Sequence, residues 1–149
     1  MRQETITVTY LKFNELNDDQ KKKVLDNLRN INVDHDEWND FLIEDFKTKL
    51  ESLGFIDIKV YWSGFWSQGD GASFTARHES GDITKSHMYQ HSNTMHCEDK
   101  NLLELAKKEA NLFYRDLEKN YNYLTSDAAV IESINANDYD FESNTLKIG

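Results

Sequence analysis

Between Val24 and Ile134 the apolar residues of this chain change their spacing twice, and that change limits the fold more than any other feature. Val24, Leu25, Leu28 and Ile31 form one stripe with helical spacing, and Trp38, Phe41, Leu42, Phe46, Leu50 and Leu53 form a second. From Ile56 onward the spacing drops to two: Ile56, Ile58, Val60 and Trp62, then Ala72, Phe74 and Ala76. Helical spacing returns with Leu102, Leu105, Ala106, Leu112, Phe113, Leu117 and Leu124, and once more with Val130, Ile131 and Ile134. A period near 3.6 gathers side chains on one face of a helix, and a period of 2 gathers them on one face of a strand. Ile6, Val8 and Tyr10 predict a further strand over 4–12, and the tail YDFESNTLKI predicts a short last one.

Local signals place the boundaries. Asn17 is the expected N-cap of a helix over Asp18–Asn30, with Gln20 completing a capping box and Asp18 and Asp19 facing the positive helix end. The next helix starts at Asp34 or Asp36 and stops at Gly54. A long helix runs from about Asp99 to Tyr123, and Ser126-Asp127 opens a short one that ends near Asn137. The chain has no proline, so its turns fall to Gly, Asn, Asp and Ser. Asn93-Thr94 is the expected turn of a hairpin over 84–98. The order β-α-α-β-β-β-β-α-α predicts an α+β fold. The expected form is one domain over 1–149, with an antiparallel sheet of about four to five strands and helices on one face.

Charge narrows the partners. The formal net charge is −10, so a basic face for direct nucleic-acid binding is not expected, nor is attraction to anionic membranes. Asp34, Asp36, Glu37, Asp40, Glu44 and Asp45 lie in a stretch without Lys or Arg. Asp127, Glu132, Asp138, Asp140 and Glu142 lie in a second. Two readings stand for these acids: solvated helix faces that keep the chain dissolved, or an imitation of phosphate spacing that enters a basic groove. Cys97 is the sole cysteine, which excludes an intramolecular disulfide and suits a reducing cytosol. The first residues lack the apolar centre of a signal peptide, and no run reaches the ~18 apolar residues of a membrane span. A cytoplasmic location is expected.

The loop Ser63-Gly64-Phe65-Trp66-Ser67-Gln68-Gly69-Asp70-Gly71 is the most unusual stretch. One reading makes Phe65 and Trp66, with Gln68 and Asp70, anchors for a partner. A second lets the loop cup a small ligand with its backbone N–H groups, and a third folds the aromatics back onto the core around glycines that take positive φ. Catalytic frames are missing: there is no phosphate-binding glycine motif, no G-x-S-x-G elbow and no H-E-x-x-H. His78, His87, His91, His96 and Cys97 are close in sequence. A turn at Asn93-Thr94 makes His91 and His96 cross-strand neighbours and weak candidates for a zinc site. No cofactor is expected.

Several blocks, taken in order, resemble a family of phage and prophage proteins. They are Leu11-Lys12-Phe13-Asn14-Glu15-Leu16, the aromatic and acidic second helix, Trp62 to Phe74 (WSGFWSQGDGASF), Tyr121 to Asp127, and Ala136 to Phe141. Longer relatives carry an insertion between Arg77 and His87. The resemblance brings no assigned activity and no established functional residue, although some members bear antitoxin labels. Together with the charge, it implies an accessory protein that inhibits a host defence or nucleic-acid-handling complex, in the manner of an anti-CRISPR. Asp36, Glu37, Asp40, Glu44 and the Phe65-Trp66 loop are the expected contact residues. The alternatives are an antitoxin or regulatory partner of a toxin, and a small metal-dependent enzyme. The oligomeric state is not legible.

Overall fold

A computed structural model describes residues 8–66, 70–85 and 93–149. The chain is α+β with antiparallel strand pairing, and its contacts gather into two compact units. One unit is formed by the chain up to His35 and from Tyr121 onward, the other by Asp36–Asn120. Among the described residues the strands pair in three two-stranded antiparallel pieces, where one sheet of four to five was expected.

In the first unit, β1 (Tyr10–Lys12) pairs with β6 (Asp140–Glu142), with Leu11 opposite Phe141. The rest of the expected strand over 4–12 lies mostly outside the described residues. α1 (Asp18–Asn27) begins as the sequence predicts: Gln20 N–H donates to Asn17 Oδ1 at 2.8 Å, and Asn17 N–H donates to Gln20 Oε1 at 3.0 Å. It ends at Asn27, a turn earlier than expected. α4 (Asp127–Ala136) is capped by Ser126, whose Oγ accepts from Ala129 N–H at 3.3 Å. Phe13, Leu16, Val24, Leu25, Val130, Ile134 and Phe141 form this unit's core. Polar ties accompany it. Arg29 Nη1 donates to Asp127 Oδ1 at 2.5 Å and to the Thr125 carbonyl at 3.1 Å. Lys12 Nζ lies 2.7 Å from Asp140 and 3.1 Å from Asp138. Its hydrogen bonds to these two carboxylates raise the pKa of the Lys12 ammonium.

In the second unit, a 3₁₀ turn (Asp36–Asn39) leads into α2 (Asp40–Ser52), followed by β2 (Ile56–Ser63) and β3 (Gly71–Arg77). β4 (Thr84–Lys85) pairs with β5 (Met95–His96), and α3 (Lys100–Leu124) follows, with Asp99 Oδ1 accepting from the Asn101 and Leu102 amides. The last turn of α3, from Tyr121, belongs to the first unit. Among the described residues no helix is long and apolar enough to cross a membrane. The core packs rings from three elements. Phe46 stacks on Phe113 at 4.3 Å, and Phe74 meets Phe46 and Phe55 edge-on at 5.7 and 5.3 Å.

Two strand expectations change. Ile56 does not share the inner face of Ile58, Val60 and Trp62; it is 57% exposed. Asp57 takes φ +53°, and the pairing shifts by one residue between Ile56 and Lys59. The extra residue is a bulge, and a one-residue slip sends a side chain to the opposite face. The register of β4 against β5 also differs from the expected one. Thr84 pairs with His96 and Lys85 with Met95, so Asn93-Thr94 lies at the entry to β5 and is not the turn. Asn93 reaches across instead, its Nδ2 donating to Ser63 Oγ at 3.3 Å and its Oδ1 accepting from buried Ser73 Oγ at 3.3 Å.

Gly54 ends α2 at φ +95°, and a Cβ there would lie 3.0 Å from His78 Nε2. His78 closes the turn. Its Nδ1 accepts from Ser80 N–H at 3.0 Å, so the ring proton sits on Nε2 and is donated to the Leu53 carbonyl at 3.1 Å. Gly54→Ala should lower the unfolding free energy by about 1–3 kcal/mol, since a side chain is strained at that φ. Urea unfolding reads the effect, and an unchanged midpoint would refute this account of the turn.

Candidate functional site

The loop after β2 resolves into two different roles. Phe65 turns inward. It stacks on Trp62 at 5.5 Å and leans on Tyr114 at 5.4 Å, and Trp62 meets Trp38 edge-on at 5.7 Å. Trp38 comes from the 3₁₀ turn, Trp62 from β2 and Tyr114 from α3, so Phe65 closes a seam of rings at the edge of the core. Trp66 turns outward and is 76% exposed, with its ring edge-on to Phe65 at 5.9 Å.

Polar contacts hold the loop at its base. The Trp66 amide donates to Asp70 Oδ2 at 3.1 Å, and the Tyr114 hydroxyl donates to the Gly64 carbonyl at 2.8 Å. Burial pushes the Tyr114 phenol up in pKa, and the charges of Asp70 and Glu118 push it further. A Cβ on Gly64 would sit 3.2 Å from Asp70 Oδ2, which makes this close approach tight for any larger residue. Asp70 therefore braces the loop through the Trp66 amide. Gln68, between Ser67 and Gly69, lies outside the described residues.

The acidic segment carries a feature the sequence pattern obscured. Phe41, expected in the core stripe, is 72% exposed. Phe46 and Leu50 define the buried face of α2. Phe41 precedes Phe46 by five residues, which at 3.6 residues per turn is about 140° around the helix. It projects beside Asp40, Glu44 and Asp45 of α2, with Glu37 a turn earlier, and all four acids are exposed. The side chain of Asp36 lies outside the described residues. The signal was present in the sequence: the neighbours of Phe41 at four before, three after and four after are all acids.

Glu109 was also missed. It sits in the buried stripe of α3 among Leu102, Ala106, Ala110, Phe113 and Leu117, while Leu112 faces outward. Glu109 is 6% exposed, and Lys49 Nζ lies 2.6 Å from its Oε2. That oxygen accepts no aligned hydrogen bond, so the ammonium compensates it by charge alone.

Two of the clustered histidines, His78 and His96, lie among the described residues. His78 spends both ring nitrogens on the backbone, His96 is exposed opposite Thr84, and His87 and His91 lie outside the described residues. Among the described residues no three His, Cys, Asp or Glu side chains gather as a metal ion needs. What the described site offers chemically is contact surface: an exposed Phe among carboxylates, and an exposed Trp on a braced loop.

The sequence model of a family described as Domain of unknown function (DUF8835) matches residues 38–108, a stretch holding α2, the aromatic loop and the start of α3. No curated protein and no solved structure matches the chain.

Proposed function

We propose that this chain is a phage-type accessory protein. On this reading it acts in the host cytosol by binding a nucleic-acid-handling complex, a defence nuclease among them, and blocking its basic groove. The observation that carries the reading is Phe41, 72% exposed on a helix whose surrounding side chains are Glu37, Asp40, Glu44 and Asp45. An exposed large apolar residue carries little meaning alone. Ringed by acids, it has the pattern of an interface anchor: the carboxylates steer a basic partner, and the ring fills a pocket once water is excluded. The net charge of −10 extends the same field over the whole chain. Trp66 is a second aromatic anchor in the same unit.

The test is affinity capture from host lysate with the tagged chain. A basic nucleic-acid-binding protein should be captured, and it should be released by heparin and by about 1 M salt, where the screening length falls to roughly 3 Å. Replacing Asp36, Glu37, Asp40 and Glu44 by Asn or Gln should remove most of that capture. Phe41→Ala should weaken binding by about 2 kcal/mol or more. A partner held equally by the neutralised chain and at high salt would refute the electrostatic reading. Capture of a small toxin would turn it towards an antitoxin.

A further inference from the structure

A small pocket lies between α2 and α3, about 120 Å³ in volume. Ordinary small-molecule sites occupy roughly 300–1,000 Å³, so this pocket suits the end of one side chain and not a nucleotide. Its floor is apolar, formed by Phe46 and Phe113, whose rings stack at 4.3 Å. Its charged lining is Asp45, Glu109, Asp116 and Lys49, which sum to −2. Lys49 is already committed to Glu109 at 2.6 Å. Among the described residues no ion pair holds Asp45 or Asp116, and both are exposed at the rim. Asp45 also stands one helical turn after Phe41, so the pocket adjoins the acid-ringed anchor.

We infer that this pocket receives an arginine side chain of the protein partner. The inference rests on the partner-binding reading for where that arginine comes from. The chemistry favours arginine over other cations. Its three-carbon stem matches the apolar wall, its planar head packs against aromatic rings, and its fork of N–H donors suits two rim carboxylates. A compact, strongly hydrated lysine ammonium matches neither the rings nor the paired acceptors as well.

The test needs no partner, so it can fail while the partner reading stands, and the reverse. The probe is N-acetyl-arginine-amide, titrated into the labelled full chain and followed by NMR at the methyl groups of Leu42 and Leu112, which line the pocket. N-acetyl-citrulline-amide is the neutral isosteric control. Saturable shifts at both leucines are expected with the arginine probe. Affinity should fall about tenfold or more in the double variant Asp45→Asn/Asp116→Asn, because two charge-assisted contacts are lost. The change Asp127→Asn, in the other unit and not among the residues that line the pocket, should leave the affinity alone. Each single variant, Asp45→Asn and Asp116→Asn, alters an exposed residue and provides the check should the double variant not fold. Absence of saturable shifts, or equal binding of the citrulline probe, would overturn the assignment.

Discussion

Phe74→Ala is expected to lower the unfolding free energy by about 3–5 kcal/mol. Phe74 is fully buried on β3, and its ring meets Phe46 of α2 and Phe55 edge-on. Truncation removes the transfer energy of the ring and leaves a cavity among neighbours that are themselves held, since Phe46 is stacked on Phe113. Against a total stability of about 5–15 kcal/mol, the loss is a large share. Phe41→Ala is the matched control: the same change on a residue 72% exposed should move stability by no more than about 0.5 kcal/mol. Urea unfolding of the two variants reads the difference. Similar losses for both would contradict the packing described for this unit.

The second large effect concerns the buried carboxylate of Glu109. Lys49→Met takes away the cation that, among the described residues, pairs with it, and leaves the charge in a site with no aligned donor at Oε2. Losing one partner of a fully buried pair costs about 3–5 kcal/mol, but Lys49 is half-exposed and water reaches its end of the pair. A loss of about 1–3 kcal/mol is therefore expected. Lys49→Met/Glu109→Leu should recover most of it, since an apolar pair fits a stripe made of Ala106, Ala110 and Phe113. A double-mutant cycle by chemical denaturation gives the coupling directly. Additive losses would mean that the two groups do not stabilise each other, whatever their separation.

These two cases also mark what could be read in advance. Phe74 was legible, because strict alternation through Ala72, Phe74 and Ala76 leaves one inner face. Glu109 was not. It stands three residues after Ala106 and four before Phe113, yet a carboxylate is a poor prior for burial, and it is the position of Lys49 on another helix that makes that burial tolerable. Phe41 failed in the other direction. Helical spacing with Trp38 and Leu42 places it in the stripe, while its angle from Phe46 around α2 and its acidic neighbours point outward. The loop divided between the anchor and core readings, with Phe65 on the core and Trp66 exposed.

What the sequence determined by itself was local. The Asn17–Gln20 capping box, the Ser126 cap, the stop at Gly54, the α+β class and the order of elements all follow from contacts within a few residues, and such contacts need no knowledge of the rest of the chain. Tertiary structure decided what depends on distant residues. The bulge at Asp57 reversed the facing of Ile56, and the register of β4 against β5, with His96 opposite Thr84, moved the expected turn away from Asn93-Thr94. Two cores formed where a single sheet was expected, because the first and last segments pack with each other and the middle packs on itself. Registers and packing partners are set by many weak contacts at large sequence separation, and no periodicity along one segment records them.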